Sequence, residues 1–339
     1  MPEPEGPGAG AEPVEVLLTQ TAYGRFGDRL RAVVCLRMQE DGSLRRGESV
    51  VARKEAHPSV VWGTPDLFDV GGPLHAFFAL LHERADTVRW FQAPSAGIDA
   101  HWFTGLLRPG LRLTTSHVNS ISVAEYVMGS VLEHYQQRDR WRKSASRRSW
   151  EPSTFRELHD TSWLVIGLGG LGSAVATRAG AFGVHVVGVR RRPSGEEPVA
   201  RVIRPADVVE ALPSADVVVV AAPATDETRQ LVDARFLAAM RPGSLLVNVA
   251  RGSLLDEEAL VAALDRGTPG AAVLDVTGVE PLPPDSPLWT HPAVSVTPHS
   301  AGRGSGRYDR AADLFVENLD RYLRGEPLLH EQQSPDVGA

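Results

Sequence analysis

From residue 14 to residue 328 the chain alternates short β-rich apolar runs with stretches of helical spacing. In the first third the runs are Val14–Leu18, Val60–Trp62, Val88–Phe91 and Leu111–Thr114, with Leu30–Met38 a weaker candidate. Pro73–Arg84 and Ala100–Leu107 carry apolar residues at helical intervals between them. This alternation predicts a parallel sheet with covering helices. Val123 to Arg140 predicts one long amphipathic helix, and the polar stretch Lys143–His159 reads as an exposed connection. A second block follows, with runs at Trp163–Ile166, Val184–Val189, Asp216–Ala221, Ser244–Val249, Ala271–Leu274 and Val294–Val296. These are almost continuously apolar, as strands covered on both faces are. Leu171–Phe182, Pro205–Leu212, Ala234–Met240 and Glu257–Leu264 predict the helices between them, and Tyr308–Tyr322 a last helix.

A length of 339 residues suggests two domains, or three, at roughly 100–200 residues each. One cysteine, Cys35, excludes an internal disulfide and any cysteine-rich metal site. It sits in the apolar run Ala32–Leu36 and reads as a buried, inert thiol. No stretch approaches the ~18 apolar residues of a membrane span. The acidic, Gly/Pro-rich start has none of the features of a signal peptide, so the cytoplasm is the expected location. A formal charge of −7 gives no support to a nucleic-acid surface. The local run Arg190-Arg191-Arg192 stands out against that acidic total.

The run ending at Ile166 leads into Gly167-Leu168-Gly169-Gly170-Leu171-Gly172, a G-x-G-x-x-G pattern between a strand and a helix. In that setting Gly167 allows the tight turn, Gly169 the approach of a pyrophosphate, and Gly172 close helix–strand packing. The alternative is a purely structural glycine turn. An acidic residue at the end of the next strand would accept hydrogen bonds from the ribose hydroxyls of NAD. Arg190 stands there instead, followed by Arg191 and Arg192, with no carboxylate before Glu196. Guanidinium groups bind a 2′-phosphate bidentately. NADP is therefore the expected cofactor, with NAD the second choice; a solvated basic loop is the plain alternative.

Three later runs end in polar residues: Asn248-Val249-Ala250-Arg251-Gly252, Asp275-Val276-Thr277-Gly278-Val279-Glu280, and Thr297-Pro298-His299. In an open parallel sheet such ends share one crevice. A histidine suits proton transfer near neutral pH, a neighbouring carboxylate favours its charged form, and an arginine can bind a carboxylate and polarise a carbonyl. Reduction of a 2-oxo acid needs that set. Singly, Arg251 could be a turn residue, Glu280 a surface residue and His299 a loop residue; their occurrence together, downstream of a phosphate loop, points to a site.

At these residues the chain resembles the D-isomer-specific 2-hydroxyacid dehydrogenase family, including its glyoxylate/hydroxypyruvate reductases. The likeness runs from about Ser116 to Leu323, through the glycine loop, Pro223–Thr228, Met240–Gly243, Asn248–Asp256, Glu280-Pro281-Leu282 and Pro298-His299, with thinner support at Ser95–Asp99 and Val123–Tyr126. The resemblance implies an α/β fold in which a Rossmann dinucleotide-binding domain, 120–302, is inserted in a flavodoxin-like substrate domain, 14–119 with 303–328; by composition 1–13 and 329–339 read as disordered tails. It implies Arg251, Glu280 and His299 as the catalytic residues. Gly167, Gly169, Gly170, Leu171, Gly172, Arg190, Arg191, Arg192, Pro223, Thr228, Ala250, Asp275 and His299 are the candidates for the cofactor. Trp62, Ser95, Ala96 and Gly97, with Arg251 and His299, are the candidates for the substrate. The implied activity is reduction of a small 2-oxo acid to the D-2-hydroxy acid by a homodimer whose arm is Val123–Arg140 and the segment after it. A phosphoglycerate dehydrogenase-type enzyme is one alternative, and a dinucleotide-sensing co-repressor-like binding protein is another. No metal, membrane or nucleic-acid partner is expected.

Overall fold

A computed structural model describes residues 13–98, 101–103, 105–106 and 108–332. The chain forms two compact units, one running to Val118 and resuming at Ser305, the other Asn119–Gly304.

The first unit begins with β1 (Glu15–Thr19), whose Thr19 side chain caps α1 (Gln20–Phe26) by accepting from the Ala22 amide. It continues through β2 (Val34–Met38), β3 (Leu44–Arg46), β4 (Ser49–Val51), β5 (Val60–Trp62), α2 (Leu74–Glu83), β6 (Trp90–Gln92) and β7 (Arg112–Thr114). Five strands pair in parallel in the order β2-β1-β5-β6-β7. Counted along the parallel strands this is 2-1-3-4-5, the flavodoxin-like order. Both edges depart from the parallel alternation read in the sequence. Beyond β2 lie β3 and β4, an antiparallel addition of short strands. Beyond β7, Glu331 and Gln332 pair antiparallel with Thr114 and Leu113. The expected tail at 329–339 is corrected accordingly: Arg112 and Glu331, 2.7 Å apart, tie its first residues to the sheet. Residues 1–12 and 333–339 lie outside the described residues. Of the helix expected at Ala100–Leu107, a 3-10 turn covers His101–Phe103, and residues 100, 104 and 107 are outside the description.

The C-terminal helix, Arg307–Leu323, lays Ala311, Ala312, Phe315 and Leu319 on this sheet at helical spacing. Phe315 sits between the indoles of Trp62 and Trp90, with ring centroids 4.4 Å and 5.2 Å away. Asn318, fully buried, donates to the Gln92 side chain at 3.0 Å and exchanges hydrogen bonds with the Leu329 backbone at 3.1 Å and 2.7 Å. Cys35, on β2, is half-buried, and burial pushes its thiol up to about 11 against the opposing pull of the Arg37 charge. That agrees with an inert thiol.

The second unit opens with α3 (Ser120–Gln136) and α4 (Arg138–Ser146). These replace the single helix expected over Val123–Arg140, and α4 extends into the stretch read as a connection. The strands follow as β8 (Ser162–Ile166), β9 (His185–Val189), β10 (Arg201–Ile203), β11 (Val217–Val220), β12 (Leu245–Asn248), β13 (Ala271–Leu274) and β14 (Val294–Val296). They form one parallel sheet in the order β10-β9-β8-β11-β12-β13-β14. Counted along the chain this is 3-2-1-4-5-6-7, the Rossmann order with one further strand. Alternate strand residues feed two cores. Trp163, Val165, Val217, Val219, Leu245 and Val247 pack with α3 and α5 (Gly170–Ala181). Leu164, Ile166, Val218, Val220 and Leu246 pack with α6 (Val208–Ala211), α7 (Ala234–Ala239) and α8 (Glu257–Leu264). Because every strand runs the same way, the ends of β8, β9, β11, β12, β13 and β14 gather on one edge, and the candidate residues of this unit lie there. Among the described residues no helix is long and apolar enough to cross a membrane.

Candidate functional site

The glycine loop joins β8 to α5. Gly167 adopts φ +97°, and a side chain there would press on Ala222 Cα at 2.7 Å. A methyl on Gly172 would overlap the Gly167 carbonyl, so the helix lies directly against the turn. At Gly169, the residue before the first helical turn, nothing lies within 4 Å of where a Cβ would be. Gly170 is exposed and Leu171 half-buried beside it. The loop therefore keeps open space in front of a helix start, the setting in which backbone N–H groups take a pyrophosphate. These residues fit a dinucleotide. Next to them, at the end of β11, Pro223 is exposed, and its carbonyl accepts from the Thr228 hydroxyl at 2.7 Å, closing the Pro223–Thr228 loop.

The arginine run begins where β9 ends. Arg190 reaches back to the glycine loop, its Nη1 donating to the Leu168 carbonyl at 3.2 Å, and meets Glu197 Oε1 at 3.2 Å. Arg191 pairs with Glu227, in the Pro223–Thr228 loop, at 2.7 Å. Arg192 is exposed. The sequence reading placed no carboxylate at this strand end; the fold brings two to it, one from seven residues ahead along the chain and one from the loop after β11.

The acid–base residues come from three adjacent strand ends. After β12, buried Asn248 shapes the turn: its side chain accepts from the Ala250 amide at 3.1 Å and donates to the Arg251 carbonyl at 3.0 Å. Arg251 Nη1 donates to the carbonyl of buried Ala250 at 2.9 Å. Gly252 allows this turn to lie on the next strand end, since a side chain there would overlap the Thr277 carbonyl. After β13, Glu280 Oε1 accepts from the Thr277 amide at 3.1 Å, and its Oε2 lies 2.8 Å from His299 Nδ1. Burial pushes the Glu280 carboxyl up. The hydrogen bond and charge of His299, the Thr277 amide and the Arg251 charge outweigh that and hold it below its ordinary value.

His299 follows β14 in a left-handed conformation, φ +48°, its amide donating to the Asp275 carbonyl at 2.8 Å. Asp275 is buried, and its carboxylate is taken up by this loop. Oδ1 accepts from the Thr297 hydroxyl at 2.6 Å and the Ser300 amide at 2.8 Å, and Oδ2 from the Ala301 amide at 3.0 Å. Tyr126 of α3 adds a 2.7 Å hydrogen bond to the Thr297 hydroxyl. The place of Asp275 is thus beneath the histidine, which it holds.

In the first unit, the segment after β6 carries the other candidates. Ser95 Oγ donates to the Gly97 carbonyl at 2.7 Å and the Ser95 carbonyl accepts from the Ser116 amide at 3.0 Å, leaving Ala96 exposed and Gly97 half-buried. Asp99 lies outside the described residues. Trp62 is a correction: its indole is 2% exposed, inside the stack with Phe315, so the side chain is core and offers nothing to a ligand. Sequence reasoning also passed over Glu197, Gly252, Thr297 and Tyr126. Only Glu197 carried a signal, a carboxylate just past a Pro-Ser-Gly turn.

A Rossmann unit with an open glycine loop, and a histidine–carboxylate pair beside an arginine at its strand ends, defines a dinucleotide-binding oxidoreductase. Residues 128–301 match the family model described as D-isomer specific 2-hydroxyacid dehydrogenase, NAD binding domain. The chain belongs to the D-isomer specific 2-hydroxyacid dehydrogenase family. It is 33% identical to a D-3-phosphoglycerate dehydrogenase of Methanocaldococcus jannaschii over 75% of this chain and 49% of that protein. It is 29% identical to glyoxylate/hydroxypyruvate reductase A of Serratia proteamaculans over 73% of this chain and 77% of that protein. Among solved structures, a D-isomer specific 2-hydroxyacid dehydrogenase of Xanthobacter autotrophicus Py2, in complex with NADPH and MES, superposes with a TM-score of 0.76 at 28% identity, covering 94% of this chain and 98% of that one.

Proposed function

We propose that the protein is an NADPH-preferring reductase of small 2-oxo acids of the glyoxylate/hydroxypyruvate class, giving the D-2-hydroxy acid. The observation that carries the reading is the 2.8 Å His299–Glu280 pair, with the Arg251 charge acting on the same carboxylate. NADPH, when bound along the glycine loop, supplies the hydride. His299 has Nδ1 committed to Glu280, which leaves Nε2 to deliver a proton to the substrate oxygen. Glu280 fixes the ring through that hydrogen bond. Arg251 binds the substrate carboxylate and polarises the carbonyl, and the backbone of Ser95–Gly97 is the further candidate for a substrate carboxylate. Asp275 acts as a positioning residue for His299, and Arg190 to Arg192 receive the 2′-phosphate.

The name of the Serratia relative and the NADPH in the Xanthobacter structure support this class and this cofactor. The Methanocaldococcus relative favours a second reading, a phosphoglycerate dehydrogenase. Such a substrate wants extra cations, and Arg53, one candidate, is committed to Glu83 at 3.0 Å. The reading includes a homodimer joined through α3, α4 and the segment after them, where Trp150 is 95% exposed.

The test is oxidation of NADPH and NADH by purified protein with glyoxylate, hydroxypyruvate and 3-phosphohydroxypyruvate, with the mass in solution from light scattering. The expected result is turnover of about 1–10³ s⁻¹ on one of the first two, at twice the chain mass. NADPH should be preferred by more than about tenfold, or ~1.4 kcal/mol. Equal affinity for the two cofactors defeats the arginine-cluster argument, and turnover below ~0.01 s⁻¹ on every oxo acid returns the co-repressor-like reading.

A further inference from the structure

The Glu197 side chain is 3% exposed although the segment around it lies on the surface. Its Oε1 accepts from the Ser194 amide at 2.6 Å, the Ser194 hydroxyl at 2.9 Å and Arg190 Nη1 at 3.2 Å, and its Oε2 accepts from the Gly195 amide at 2.9 Å. Two successive backbone N–H groups, a hydroxyl and a guanidinium converge on one anion. Gly195 adopts φ +86°, the left-handed step that turns neighbouring amides toward a common centre. The Ser194 amide, burial opposing it, leads the effects that hold the Glu197 carboxyl down to about 2, so the seat contains a full negative charge at neutral pH.

This donor set is the one a phosphomonoester takes. It also lies where the fold directs the adenosine ribose, at the end of the first strand after the glycine loop. The same Arg190 touches both the Leu168 carbonyl of that loop and Glu197. We infer that Glu197 occupies, as an internal anion, the seat of the NADP 2′-phosphate, and that its displacement sets how strongly the chain discriminates between NADP and NAD.

The inference rests on the reading of the Arg190 region as the ribose end of the cofactor site. A 2′-phosphate, with roughly −1.5 to −2 charges near pH 7, competes with a single carboxylate charge for the same donors. NAD has no such group and leaves Glu197 in place. Glu197 is therefore a specificity-determining residue that opposes NADP binding, although it stands next to the arginine that favours it.

The experiment measures dissociation constants of NADPH, NADH, adenosine 2′-monophosphate and adenosine 5′-monophosphate for the full chain and for Glu197→Gln and Glu197→Ala. Both variants are expected to bind NADPH and the 2′-monophosphate at least fivefold more tightly, with NADH and the 5′-monophosphate within twofold of the unmodified chain. Unchanged or weaker binding of the 2′-phosphates overturns the inference and leaves Glu197 a support of its loop. A parallel gain for all four ligands overturns it as well. Equal NADPH and NADH affinities in the unmodified chain would sink the cofactor preference alone, because the shift on substitution still decides the role of Glu197.

Discussion

His299 is a β-carbon residue held at φ +48°, a backbone region that such residues enter at a cost. What holds it there is buried: the Asp275 carbonyl on its amide, and the Asp275 carboxylate on the two amides and the hydroxyl that flank it. Strain persists where the surroundings over-determine it, and such residues cluster at functional sites. The ring is then fixed by Glu280, whose carboxyl is held below its ordinary value. The stabilisation from that pair is complete above the ordinary carboxylate pKa and is lost as pH falls through the lowered one. Near neutral pH Glu280 is charged and the pair is intact. Glu280→Gln removes that titrating carboxyl, so the acid limb of kcat/KM, which follows its protonation, is expected to be lost. His299→Ala is expected to lower kcat by about 10²–10⁴-fold. A pH–rate profile of each variant measures both effects; an unmoved limb in Glu280→Gln, or near-normal turnover in His299→Ala, rejects the assignment. These residues were legible in the sequence because each lies within a few residues of the end of an apolar run. Trp62 closes such a run itself, but a side chain at a strand end can turn into the core, and the partner that takes it there, Phe315, lies on the C-terminal helix.

The helix predicted over Val123–Arg140 breaks at Gln137, which adopts φ +52° while its amide caps the His134 carbonyl at 3.2 Å. The apolar stripe explains the break. Val127, Val131 and Tyr135 are buried along α3, and no apolar side chain of α4 continues the line. Trp141 turns instead to Phe155, 5.9 Å between ring centroids, and donates to the Ser153 hydroxyl at 2.8 Å. A left-handed residue with a Cβ costs roughly 1–2 kcal/mol, offset in part when glycine replaces it by the ~0.4–1 kcal/mol of freedom glycine loses on folding. Gln137→Gly is expected to stabilise the chain by about 0.5–1 kcal/mol, read as a higher midpoint in denaturant; a lower midpoint rejects the left-handed cap. The elements that escaped sequence reading share one property. Ser49–Val51 and Arg201–Ile203 are edge strands of three residues, Leu44–Arg46 is a three-residue strand beside the first, and α1 is seven residues long. None is long enough for a period to show. The inner strands, covered on both faces, were plain as apolar runs, and their order in each sheet rests on pairings between distant segments that no single run reveals.

At the scale of the molecule, the two units differ in how the chain builds them. Asn119–Gly304 is one continuous segment with its cores on the two faces of its own sheet. The other unit takes its sheet from the start of the chain and the cover for one face from the end, so it is complete only when Arg307–Leu323 docks. Phe315, fully buried between Trp62 and Trp90, is the centre of that docking. Truncating a buried phenylalanine to alanine costs about 3–5 kcal/mol, on the order of 10 °C in the midpoint of a unit this size. Phe315→Ala is thus expected to lower the melting of the first unit, followed by near-ultraviolet circular dichroism of the Trp62–Trp90 stack. The glycine loop and the arginine run belong to the other unit, so the NADPH dissociation constant is expected to stay within twofold. Because a ligand stabilises only what it binds, saturating NADPH should raise the transition of the second unit by the same amount in variant and unmodified chain. A loss of NADPH affinity in step with the loss of stability would show that the cofactor site depends on the C-terminal helix, and the division of labour drawn from the two cores would fall.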